Sequence, residues 1–262
     1  MATSTSNWTR EQLKLAFHFY CQTPFGKLHS RNPAIVELAK LVERSPDATA
    51  MKLVNFASLD PAIIGTGRRG LSGASKLDRE IWEEFHADWE RLAIECEEIR
   101  QRLLQQHGMT DSTPLDTSSD FDAGDFIGET RQAIIQQRIK QKFFRRAVLS
   151  SYRGRCCMSG LTDTRLLIAS HIVPWSADKA NRLNPSNGLC LSAIHDKAFE
   201  IGLITISEDL RVMLSRELRQ RDDELIRHVF SSIDNKPIEL PERFAPDPHF
   251  LAIHRTSRFL GA

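Results

Sequence analysis

Ala169-Ser170-His171-Ile172-Val173-Pro174-Trp175, and then Asn187-Gly188-Leu189-Cys190-Leu191-Ser192-Ala193-Ile194-His195-Asp196, decide how the second half of this chain folds. Leu166 to Ile172 is an apolar, β-branched run, which suits a strand. It stops at His-Ile-x-Pro, because proline cannot continue a ladder. About a dozen polar and turn-forming residues follow, ending in Asn184-Pro185-Ser186. Asn187-Gly188 opens a second apolar run, which passes into a helical stretch carrying His195. The predicted unit is a hairpin followed at once by a short helix.

Working outward, residues 141–160 read Gln-Lys-Phe-Phe-Arg-Arg, then Tyr152-Arg-Gly-Arg-Cys156-Cys157-Met-Ser-Gly160. Downstream come Ala198-Phe199-Glu200-Ile201-Gly202-Leu203-Ile204 and, near the end, His254-Arg255 and Phe259. Taken with His171, Asn187 and His195 in that order, these features resemble the HNH nuclease family, over roughly residues 131–262. The resemblance implies an α+β fold: a mainly helical N-terminal domain and a C-terminal ββα-metal nuclease domain. It implies metal-dependent hydrolysis of DNA phosphodiester bonds, most often in bacterial restriction or anti-phage defence, with base modification a factor in target choice. His171 would be the general base. Asn187 would fix the His171 ring or the adjoining loop. His195 would hold Mg²⁺ or Mn²⁺, which steadies the leaving oxygen. A double-strand cut by a single-site finger calls for two copies, so a homodimer is expected.

Two departures from the family pattern matter. Ser170 stands where many relatives carry an acidic metal ligand, and serine is a poor ligand for a hard cation. No Cys-x-x-Cys pair exists, so no structural zinc is expected. A second metal ligand must come from elsewhere. Asp196 and Glu200 are four residues apart and share one helix face; Glu200 is the expected metal ligand, and Asp196 the alternative.

Charge is unevenly spread over the 262 residues, although the net balance is only +1. Arg131, Arg138, Lys140, Lys142, Arg145, Arg146, Arg153 and Arg155 occupy a stretch with no acidic residue. Such a stretch beside a phosphodiesterase signature predicts contacts to the DNA backbone by Arg138, Lys140, Lys142, Arg145, Arg146, Arg153 and Arg155. Residues 78–98 are strongly acidic and are expected to face away from DNA or to pair with that basic stretch.

The expected organisation is a helical domain over 1–108, a linker over 109–130 and the nuclease domain over 131–262. Leu13, Ala16, Phe17 and Tyr20 recur at helical spacing after Thr9, a capping residue. Pro33–Glu43 and Ala48–Asn55 predict two short helices across a tight turn: either a helix-turn-helix, with Thr49, Lys52 and Asn55 as candidates to face a DNA groove, or a small helical bundle that binds protein or only packs. Leu77 to Gln106 predicts one long helix with Ile81, Phe85, Trp89 and Leu92 inward and Trp82 off that stripe. Residues 65–73 form a basic, glycine-rich loop without the Gly-Lys-Ser/Thr end of a phosphate loop. Ile204–Ile206 and Arg211–Leu214 predict a second hairpin.

No run of about 18 apolar residues is present, and Met1–Ser6 lacks an apolar leader core. Five cysteines suit a reducing compartment. A cytoplasmic protein is expected, with DNA as partner and no membrane. Two other readings fit the same residues. One is a DNA-binding regulator with an inactive finger, which the Ser170 departure favours. The other is an effector nuclease governed by a ligand or partner at its N-terminal domain.

Overall fold

The computed structural model describes residues 7–65, 73–109 and 131–261. Most of the glycine-rich loop and nearly all of the expected linker lie outside the described residues. The chain forms two compact units, 1–147 and 148–262.

The first unit holds helices α1 (Arg10–Cys21), α2 (Pro33–Leu41), α3 (Pro46–Ala57), α4 (Pro61–Gly65), α5 (Lys76–Ala87), α6 (Trp89–Gln106) and most of α7 (Arg131–Ser151). Local chemistry sets the starts. Thr9 and Gln12 form a capping box, while Asn32 and Ser45 each cap a helix whose first residue is proline. Phe17 is the hub of the core, with ring centroids 4.7 Å from Phe85, 4.9 Å from Phe56 and 5.2 Å from Trp82. Full burial of such a ring contributes about 1.5–3 kcal/mol.

Two expectations for this unit are corrected. Leu77–Gln106 is two helices, because Asp88 leaves the helical conformation and its side chain accepts the Arg91 N–H to start α6. The surface expected to face a DNA groove is largely turned inward. Thr49 is fully buried, and Lys52 is buried with Nζ 3.0 Å from both oxygens of Asp78, itself fully buried. A lysine committed to a buried carboxylate cannot also reach a groove, since breaking such a pair strands a charge in the interior. Asn55 is half-buried and sits against Gly73.

Much of the acidic run is neutralised within this unit. Arg10 pairs with Glu80 and Glu84, Lys14 with Glu84 and Glu95, and Lys140 of the basic stretch with Glu90 at 2.6 Å.

In the second unit, β1 (Leu167–His171) and β2 (Gly188–Ser192) pair antiparallel, with Leu167 opposite Ser192 and His171 opposite Gly188. Helix α8 (Ala193–Glu200) starts directly from β2, because the Ser192 hydroxyl accepts the His195 N–H. The expected hairpin–helix is therefore present. A second hairpin joins β3 (Ile204–Ile206) to β4 (Val212–Leu214). Short helices α9 (Arg216–Gln220) and α10 (Glu224–Val229) follow, and α11 (Pro248–Ser257) packs on β3. Helix α8 lies against β1, β2 and β3, and Phe199 is buried there with Leu167, Leu189, Leu191 and Ile204. The lead-in turn at Cys156–Gly160 joins the same core through the Cys157 N–H, which donates to the Cys190 carbonyl.

Among the described residues no helix is long and apolar enough to cross a membrane.

Candidate active site

A cleft of about 270 Å³ opens where β1 ends. Ile168–Ile172, Pro174 and Trp175 form one wall, Asp196, Phe199 and Glu200 of α8 the other, and His254 and Arg258 close it from the C-terminal segment.

His171 is the last residue of β1 and is half-buried. Its Nε2 lies 2.9 Å from the Arg182 carbonyl oxygen. A carbonyl only accepts, so Nε2 carries the hydrogen and Nδ1 holds the lone pair in the neutral ring. Burial pushes the His171 pKa down to about 4, outweighing the opposing effect of the Arg182 carbonyl. The ring is thus neutral near pH 7, the form that can take a proton. Trp175 meets it edge-on, with centroids 5.5 Å apart.

Asn187 is fully buried and holds the loop beside His171. Its Oδ1 accepts the Val173 N–H at 2.8 Å, and its Nδ2 donates to the carbonyls of Val173 (3.1 Å) and Asn181 (3.3 Å). Its own carbonyl accepts the Ile172 N–H. One amide thus ties together two points of the chain fourteen positions apart. Of the two roles considered for Asn187, the geometry matches the one acting on the loop.

His195 is not brought to this cleft. It is buried, with Nδ1 2.9 Å from the Ser192 hydroxyl and 3.7 Å from Cys156 Sγ, and Nε2 3.3 Å from the Val229 carbonyl. Phe230 stands edge-on at 5.6 Å. Burial pushes the Cys156 thiol up, but hydrogen bonds with His195, Ser159 and Met158 bring it down to about 6. Both His195 nitrogens are engaged between the lead-in turn, β2 and the end of α10, which does not match the expected ligand role.

Successive helix residues point about 100° apart. Asp196, next after His195, therefore lines the cleft, and Glu200 lies one turn on. Glu200 is exposed and pairs with Lys197 at 2.8 Å. Ser170, where a carboxylate was expected, is buried in the cleft wall. Among the described residues, no three His, Cys, Asp or Glu side chains form a ready-made metal cluster. Asp196 and Glu200 nonetheless bring two carboxylates to the cleft. Two carboxylates suit a divalent ion that takes its other ligands from water and phosphate.

The basic stretch is divided. Lys140 is paired with Glu90, and Arg145 is buried. Arg138 is exposed. Arg100, Arg146 and Lys142 act on the half-buried ring of His18, whose pKa is pushed down to about 3 by desolvation first and then by these cations. Arg153 and Arg155 belong to the second unit, where both pair with Glu239, at 2.6 and 3.8 Å.

His254, Trp175 and Arg258 enter the cleft without having been singled out as site residues. His254 stacks on Phe199 with centroids 3.7 Å apart, donates from Nε2 to the Phe199 carbonyl, and takes the Thr205 hydroxyl at Nδ1. It thereby fixes the end of α8. The His-Arg tail pattern was the available signal, but it carries no direction.

Residues 156–207 match a family model described as HNH endonuclease. This segment is an HNH endonuclease segment. It contains β1, β2, α8 and β3, and so His171, Asn187, Asp196 and Glu200. No curated protein matches the chain. The HNH segment stops short of His254 and Arg258, which the rest of the chain adds to the cleft.

The buried histidines make the stability of this unit depend on acid. Burial holds His254 down to about 4, as it does His171. Free histidine titrates near 6.5. Above that pH the full stability is present. Between about 6.5 and 4 the unfolded chain binds the extra protons, so stability falls as pH falls, by up to about 1.4 kcal/mol per pH unit for each ring. Urea unfolding from pH 7.5 to 5, with NMR titration of the ring protons, checks this. Titration of His254 near 6.5 in the folded protein contradicts it.

Proposed function

We propose that this chain is a metal-dependent DNA endonuclease that hydrolyses phosphodiester bonds. The observation that carries this reading is the His171 ring at the end of β1: neutral, held by the Arg182 carbonyl at Nε2, on a cleft that also carries Asp196 and Glu200. His171 takes a proton from water, and the oxygen attacks phosphorus in line with the departing 3′ oxygen, leaving a 5′ phosphate. Asn187 keeps the loop after His171 in place. Trp175 and the loop it belongs to present an apolar and cationic rim, with Arg182 stacked 5.0 Å over the indole. Asp196 and Glu200 would hold a divalent ion, Mg²⁺ or Mn²⁺, which supplies charge stabilisation for the leaving oxygen. Arg138, which is exposed, is a candidate for backbone contacts, and so are Lys142, Arg146, Lys140, Arg145, Arg153 and Arg155, of which Lys140, Arg153 and Arg155 would first have to leave Glu90 or Glu239.

Restriction or defence is the setting the family resemblance suggests, with a homodimer making the double-strand cut. The inactive-regulator reading has one observation in its favour, the buried Ser170 where a carboxylate would otherwise sit.

Plasmid DNA, methylated and unmethylated, incubated with the purified chain and Mg²⁺, Mn²⁺ or EDTA tests the proposal. Nicked or linear product only with an ion is expected. DNA binding without cleavage under every ion would favour the regulator instead. A preference between the two plasmids would bring base modification into target choice.

A further inference from the structure

The C-terminal segment brings a cation to the cleft from outside the HNH segment. Arg258 follows the last turn of α11, and its N–H donates to the His254 carbonyl at 3.0 Å. The chain then turns back on α8, with the Leu260 N–H donating to the Gly202 carbonyl at 2.9 Å. Gly202 has φ +78°, and a Cβ there would lie 2.0 Å from the Arg258 carbonyl oxygen. Glycine alone permits this approach. The backbone of Arg258 is therefore fixed against the end of α8.

Its guanidinium reaches the Glu200 carbonyl at 3.4 Å, at the C-terminal end of α8, where the helix dipole favours a cation. Arg258 is exposed and lines the cleft with His171. Among the described residues no carboxylate pairs with it. It acts on its surroundings as a charge, since it helps hold down the His254 pKa, after burial. The guanidinium has five donors in a planar fork, and the Glu200 carbonyl takes one direction. That fork matches the oxygens of a phosphate, and its charge opposes what builds on the phosphoryl group as water attacks.

We propose that Arg258 is a catalytic residue that binds a non-bridging oxygen of the scissile phosphate opposite His171. The inference rests on the endonuclease reading above. It supplies positive charge to a cleft where Ser170 replaces one of the expected anionic ligands.

Two measurements on the full chain test it. Arg258→Gln keeps an N–H for the Glu200 carbonyl and removes the charge, and Arg258→Lys keeps the charge without the fork. In single-turnover cleavage at saturating enzyme, Arg258→Gln is expected to slow the reaction about 10²-fold or more, the scale of a lost transition-state donor, with Arg258→Lys in between. In EDTA, the slope of log affinity against log salt for duplex DNA is expected to fall by about 0.9 for Arg258→Gln, one phosphate contact. Cleavage within about threefold of the parent overturns the inference while leaving the endonuclease reading intact. A parent that binds but never cleaves rejects the endonuclease reading, and an unchanged salt slope then overturns the phosphate contact as well. A parent that does neither overturns both. Matched circular dichroism and melting temperature exclude a folding defect. If Arg258→Gln is unstable, Arg258→Lys must still lose at least several-fold in rate, and parental activity in it overturns the role of the fork.

Discussion

His171→Ala will lose about 10²- to 10⁴-fold in DNA cleavage while binding DNA nearly as well as the parent. That range is the usual one for removing a general base. The expectation comes from how the ring is held. Its Nε2 is committed to the Arg182 carbonyl, so the ring cannot rotate without stranding that acceptor. The opposite nitrogen is the proton acceptor. A phosphate anchor would need a protonated ring, and burial opposes that by holding the pKa near 4. Loss of the ring therefore removes proton transfer rather than an electrostatic contact. Single-turnover cleavage and affinity in EDTA separate the two. Cleavage within about threefold of the parent rejects His171 as the base, and a large fall in affinity would make it an anchor.

The hairpin–helix unit was legible because each signal in it is local. A continuous apolar run ends at His-Ile-x-Pro, Asn187-Gly188 opens the next strand, and Ser192 caps the helix. Asn187 was picked out by the family resemblance rather than by a local signal of its own, with the ring and the loop both open as its target. The direction of each α8 side chain was not. His195 and Asp196 are neighbours, and a helix turns them about 100° apart. Which one meets the cleft depends on the partner packed behind α8, here Val229 and Phe230, more than thirty residues later in a segment with no strong signal. Arg258 and His254 were hidden for the same reason, reaching α8 across more than fifty residues. In the first unit, Lys52 looked like a surface residue because its partner, Asp78, lies twenty-six residues on. The break at Asp88 was readable in principle, since aspartate is a good cap. Strong periodicity on both sides masked it.

The largest divergence between sequence and geometry concerns the metal, and it yields the second expected result. Asp196→Ala will raise the Mg²⁺ or Mn²⁺ concentration needed for half-maximal cleavage by tenfold or more, with little change in stability. His195→Ala will instead lower stability by about 3 kcal/mol and leave the metal midpoint of the surviving folded protein unchanged. The second figure follows from burial: the imidazole leaves a cavity, and the Val229 carbonyl, the Ser192 hydroxyl and the Cys156 thiol each lose a partner. Glu200→Ala should give a smaller metal shift than Asp196→Ala, because Glu200 is exposed and already shared with Lys197. Urea unfolding gives the stability axis. Metal titration of plasmid nicking gives the other, with metal-induced rise in melting temperature as a check that does not need turnover. A folded His195→Ala protein with a shifted metal midpoint would restore His195 as a ligand. That outcome would require α10 to release the ring, since its Nε2 cannot serve both the Val229 carbonyl and an ion. Unshifted midpoints for both Asp196→Ala and Glu200→Ala would remove the carboxylate pair from the metal site.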